Sequence, residues 1–107
     1  MIVRESTKYK RSYKDTILKK KKYEEQEKIE RLIEIMITFP NLHIFMISQY
    51  KEKYHVEQKK ANLKEFFTAR INKLRLIFKP VSEYPYNYVE IDEIELIEVN
   101  DDHYKNL

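Results

Sequence analysis

Near its end the chain reads Asp101-Asp102-His103-Tyr104, two acids, an imidazole and a phenol in consecutive positions. An imidazole titrates near pH ~6.5 and exchanges protons at neutrality, and a carboxylate beside it orients it or shares the transfers. The ordinary alternative is a solvated polar terminus. A second candidate is cationic. In "FFTARINKLRLIFKP" Arg70 and Arg75 flank Asn72 and Lys73. A two-residue turn there sets Arg70 opposite Arg75, Ala69 opposite Leu76 and Phe67 opposite Phe78. Like charges opposed on a sheet repel, so two planar guanidinium groups side by side invite an anion, and a phosphate fits their geometry. Pairing of each arginine with a neighbouring acid such as Glu95 stays open beside that reading.

Other chemistries fall away on residue types. The chain has no cysteine, which removes disulfides and thiolate metal sites, and no glycine, which removes phosphate loops of the Walker and dinucleotide kinds. His43, His55 and His103 have no metal-ligand spacing between them, so neither a metal nor another cofactor is expected.

The elements that must position these residues fit one domain, since 107 residues bury one modest core. "MIVRESTKYK" alternates weakly and reads as a first strand. Residues 12–39 are helical in pattern: Tyr13 and Ile17 share a face, then Ile29, Leu32, Ile33, Met36 and Ile37 recur at three and four. A turn is expected within 19–23, giving a helical hairpin that "FPN" closes. Residues 42–64 are the least legible part, where "LHIFMISQY" fits a buried strand or a helical turn. The arginine hairpin follows, with Phe67, Ala69, Ile71, Leu74, Leu76 and Phe78 on one apolar face. After "KPVSEYPYN" the period-two "YVEIDEIELIEV" reads as a last strand that adds to the hairpin and delivers Asp101 and its neighbours to the sheet edge. The predicted class is α+β, an N-terminal strand, a helical hairpin, then an antiparallel sheet with helices on one face.

Net charge is +3, yet nine basic side chains stand against Glu5 and Asp15 in residues 1–23, and eight acids against Lys105 in residues 81–107. The basic part points to a polyanion such as RNA, and a solvated basic helix beside a solvated acidic strand is the plain alternative. With no charged leader and no long apolar run, a cytoplasmic protein without a membrane partner is expected.

"HVEQKKANLKEFFTARINKLRLIF", from His55 to Phe78, and "IELIEVNDDHY" at the end resemble the RelE/ParE superfamily of bacterial toxins, and within it the HigB-like branch. The first stretch is similar to that branch's His, its Leu-Lys-Gly element, its aromatic-Ser-x-Arg-Ile-Asn strand and the Arg-hydrophobic strand after it. The second is similar to its closing Asp-Tyr-His strand. Ala61 and Glu65 stand where the family has glycines, and Asp102 stands where a tyrosine precedes the final histidine. The resemblance implies a RelE-like fold over residues 1–107 and a ribosome-dependent mRNA endonuclease of a type II toxin-antitoxin system. Its expected partners are the ribosome, mRNA and a helix-turn-helix antitoxin of the HigA type. Carried over by position, Lys60, Arg75, Asp101 and His103 are the catalytic candidates. Lys64, Arg70, Asp102 and Tyr104 are RNA contacts, with Tyr104 or Phe66 placed to stack on a base. The implied reaction is metal-independent attack of the RNA's own 2′-hydroxyl, with Lys60 and Arg75 stabilising the added charge. A ParE-like gyrase inhibitor without nuclease activity, or a non-enzymatic RNA-binding protein, would use the same hairpin without needing His103.

Overall fold

The computed structural model describes residues 1–101. Strand β1 (Ile2–Glu5) is followed at once by helix α1 (Thr7–Tyr13), because Ser6 is an N-cap whose Oγ accepts a hydrogen bond from the Tyr9 N–H at 2.9 Å. The first strand is therefore shorter than the weak alternation over residues 1–10 implied. Tyr9, Tyr13 and Ile17, four apart, carry the helical face onward through one π-helical turn (Lys14–Leu18). The chain reverses over residues 19–22, as expected, with Lys21 at a φ of 53°. Helix α2 (Tyr23–Thr38) then buries Ile29, Leu32 and Met36 and stops at Phe39, whose extended backbone is what a following proline requires. The undecided middle forms two short helices, α3 (Leu42–Met46) and α4 (Gln49–Lys53), each N-capped by an Asn or Ser side chain.

A two-residue strand β2 (Glu57–Gln58) leads to β3 (Phe67–Ile71), β4 (Leu74–Pro80) and β5 (Glu93–Asp101). The sheet order is β1-β5-β4-β3-β2, antiparallel except that β1 runs parallel to β5. The last strand adds to the hairpin as expected, and β1 pairs with its first half. β5 lies between β1 and β4, and past β1 its backbone is still engaged, since the Val99 N–H donates to Ser12 Oγ of α1. A two-residue β2, rather than β5, forms the far edge.

One sheet face is the core. Phe67, Ala69, Ile71, Leu74, Leu76 and Phe78 are all buried there with Ile94, Leu96 and Val99, and α1, α2 and α3 cover them with Tyr9, Ile29, Leu32, Met36, Leu42 and Phe45. The fold is thus mixed α+β, an N-terminal strand, a helical region, then a mostly antiparallel sheet packed against helices. The opposite face carries Glu57, Thr68, Arg70, Arg75, Ile77, Glu98 and Asn100, which face one another in the strand register. Thr68, Ile77 and Asn100 are buried on it, so it is not simply an open polar surface. No helix among the described residues is long and apolar enough to cross a membrane.

Candidate nucleic-acid interface

The arginine hairpin has the register expected of it: Phe67 pairs with Phe78, Ala69 with Leu76 and Arg70 with Arg75. Asn72 makes the turn possible. It adopts a φ of 56°, which asparagine tolerates better than other non-glycine residues. Its side chain also fastens the turn to α2, accepting from Lys28 Nζ at 2.7 Å and donating through Nδ2 to Glu25 Oε2 at 2.8 Å. That second bond holds the Glu25 carboxyl below its ordinary pKa.

His55 is the residue that sequence reasoning missed. It terminates α4 in the left-handed conformation at a φ of 49°, with its N–H bonded to the Glu52 carbonyl and the Val56 N–H to the Lys51 carbonyl at 2.8 Å. These two bonds make a Schellman ending, a place where glycine is usual. The next carbonyl-to-amide link, from the Arg70 N–H to the Tyr54 carbonyl at 2.7 Å, ties this ending to β3. His55, Glu57, Thr68, Ala69, Arg70 and Arg75 consequently line one recess of about 190 Å³. Asn100 stands directly across from Arg75, and its buried Oδ1 has no hydrogen-bond partner among the described residues. The only sequence signals were indirect: a chain with no glycine must spend another residue on a left-handed helix ending, and the alternation of β5 puts Asn100 in step with Arg75.

The other predicted residues distribute differently. Asp101 pairs with Leu74, whose side chain is in the core, so register puts Asp101 on the helix-covered face and Asn100 on that of Arg75. Lys60 and Lys64 bracket a single 3-10 turn (Ala61–Leu63), and Lys64 Nζ stands 4.7 Å from the centre of the Tyr84 ring. The Lys59 N–H reaches the Phe66 carbonyl, so Lys60 lies at or past the level of Phe66, roughly 13 Å along β3 from Arg70 at 3.3 Å per residue. The two lysines are therefore not gathered with the two arginines. Glu95, considered as an arginine partner, is opposite Lys79 on β4 and Arg4 on β1 instead. Asp102, His103 and Tyr104 lie outside the described residues. Among the described residues no group of three or more His, Asp or Glu side chains is placed to hold a metal ion.

The recess thus brings two guanidinium side chains, an imidazole and the Glu57 carboxylate together. Comparison with protein-family models, with curated proteins and with solved structures finds no match to the chain.

Proposed function

We propose that the protein is a HigB-like toxin of the RelE/ParE superfamily, a metal-independent endonuclease that cleaves ribosome-bound message and is silenced by an antitoxin of the helix-turn-helix type. The observation that carries this reading is the Arg70–Arg75 cross-strand pair with His55 in the same recess. In the reaction a base removes the proton of a ribose 2′-hydroxyl, its oxygen bonds to the adjacent phosphorus, and the bond to the 5′-oxygen breaks as an acid protonates that oxygen. The products are a 2′,3′-cyclic phosphate and a 5′-hydroxyl. Arg70 and Arg75 hold the non-bridging oxygens and stabilise the charge that builds on them. His55 supplies one proton-transfer group from the recess, and His103, assigned through the resemblance, supplies the other. Asp101, on the face opposite Arg75, is assigned an orienting role through the resemblance alone. Lys60 and Lys64, with Tyr84 beside them, bind RNA away from the reacting phosphate.

The separation of Lys60 from the arginines favours a second reading, an RNA-binding protein without catalysis, because it leaves the expected catalytic set incomplete within the described residues. Cleavage on programmed ribosomes, run beside a DNA supercoiling assay, decides. Cleaved message with 2′,3′-cyclic ends supports the nuclease, bound but intact message supports the second reading, and inhibited supercoiling would replace both with a gyrase inhibitor. Expression of the chain alone should arrest translation and growth. Normal growth with abundant folded protein would refute the toxin assignment.

A further inference from the structure

A second and larger recess adjoins the arginine one among the described residues. A cleft of about 520 Å³ lies between α2, the end of α4 and the hairpin turn, lined by Glu24, Glu27, Lys28, Arg31, Lys53, Tyr54, His55, Arg70, Ile71 and Asn72. Its wall on α2 is one stripe, since positions 24, 27, 28 and 31 recur at the three- and four-residue spacing of a single helix face. Lys28 is committed, to Glu24 Oε1 at 3.3 Å and to Asn72. Arg31 and Lys53 are both exposed and form no salt bridge with a described residue, and Lys53 Nζ lies 5.7 Å from the Tyr54 ring centre. Charge on Arg31 and Lys28 is felt at the Tyr54 hydroxyl, where it opposes the rise in pKa that burial causes. The floor is aromatic and apolar, Tyr54 and Ile71, and the rim sets Lys28, Arg31, Lys53 and Arg70 beside the carboxylates of Glu24 and Glu27. His55 and Arg70 line this cleft and the arginine recess alike, so the two adjoin at these side chains near the end of α4.

We propose that this cleft is a second RNA subsite, in which Arg31 and Lys53 hold a phosphate farther along the same single strand whose reacting phosphate sits at Arg70 and Arg75. The edge of Tyr54 meets the sugar or base between them, and Glu27 is placed to accept hydrogen bonds from base amino groups. The size fits: pockets of about 300–1,000 Å³ enclose ligands of nucleotide scale. The inference rests on the RNA reading above for the identity of the strand, and not on catalysis.

The test is a phosphate walk. A short, fluorescently labelled 2′-O-methyl oligoribonucleotide, which lacks the attacking hydroxyl, is made with one neutral methylphosphonate at each position in turn, and binding is followed by anisotropy over a salt series. The wild type should lose affinity at two separated positions. Arg31→Ala combined with Lys53→Ala should erase the sensitivity at one of them and lower the log–log salt slope by about 0.7, the value for one phosphate contact on a single strand. Arg75→Ala should erase the other. Unfolding curves establish that each variant is folded, and Arg31→Gln with Lys53→Gln repeats the measurement with longer side chains. A single sensitive position, an unchanged slope in the double variant, no binding of the oligonucleotide, or stronger displacement by polyglutamate than by RNA would each overturn the proposal. Two sensitive positions with no message cleavage would support the second subsite while sinking the nuclease. Cleavage with one sensitive position would do the reverse.

Discussion

Arg75 and Leu76 are neighbours in β4 that point to opposite faces, and they should fail in opposite ways. Leu76 is completely buried opposite Val99 and Ala69 in the helix-covered core. Leu76→Ala should cost about 2–5 kcal/mol through lost transfer energy and the cavity left behind. That is a large part of the about 5–15 kcal/mol that holds a domain of this kind together. Arg75 is half-buried on the other face, with Arg70 and Asn100 as its cross-strand neighbours. Its truncation removes aliphatic packing of the stem and the interaction made by its guanidinium, but no core contact, so stability should fall by less than in Leu76→Ala. The catalytic effect is larger. Loss of one donor aimed at a developing oxyanion costs about 2.7–4 kcal/mol, or roughly a hundredfold to a thousandfold in rate. Single-turnover cleavage on programmed ribosomes and urea unfolding, measured on both variants, give the two numbers directly. If Arg75→Ala unfolds as readily as Leu76→Ala, or cleaves at the wild-type rate, the division of the hairpin into a packing face and a phosphate face is wrong.

His103→Ala should reduce cleavage by about a hundredfold or more, the scale for losing a general acid or base, and His103→Gln nearly as much because an amide does not exchange protons at neutral pH; wild-type rates in both would remove it from the mechanism. His55→Gln should lose activity with unchanged stability, whereas His55→Gly should lose activity and gain stability, because glycine meets the left-handed helix ending without steric cost. Asn72→Ala should destabilise by about 1–2 kcal/mol in urea titration, from the positive φ together with two exposed hydrogen bonds, with Asn72→Gly recovering the backbone part. Burial, followed by the Glu30 carboxylate, pushes the Tyr13 phenol up from 10.0 to about 12, so the folded state retains a proton that the unfolded chain releases. Stability from this group is complete below about pH 10 and is lost as pH rises through about 12; Tyr13→Phe should flatten that part of the alkaline unfolding profile.

The hairpin was legible because every cue in it is local. Asn72 tolerates the turn, the alternation of Phe67 to Ile71 and Leu74 to Phe78 fixes the register, and a slip by one residue would expose the whole apolar set. Most of the α2 stripe was legible for the same reason, its period being carried within one element, although Ile37 at its end is exposed. Ser6 carried a local signal too, yet weak alternation on both sides of it concealed a helix start. The parallel seating of β1 beside β5 depends on partners some ninety residues apart, and a short alternating stretch does not name its neighbour. His55 was hidden by the same long-range problem. Its role follows from the link between the Arg70 N–H and the Tyr54 carbonyl, and nothing in "KYHVEQ" announces that pairing.

That seating also changes where the charge of the molecule acts. Along the sequence the basic segment and the acidic segment are far apart, and the basic one looks like the surface for a polyanion. In the fold β1 and α1 lie along β5, Arg4 pairs with Glu93, and Lys8 pairs with Glu98 at 3.1 Å. Part of the N-terminal positive charge is thereby spent against the C-terminal acids. Other cations have a concave setting, among them Arg70 and Arg75 on the hairpin and Arg31 and Lys53 in the adjoining cleft. Low-dielectric walls concentrate a field inside a recess, whereas exposed charges on a convex surface are screened within about 10 Å at moderate salt. RNA affinity should therefore follow the few cations of these recesses more closely than the longer basic run at residues 8–22. Substituting Lys20, Lys21 and Lys22 together by alanine should leave the two positions of the phosphate walk intact, and loss of both would place the interface on the N-terminal helices instead.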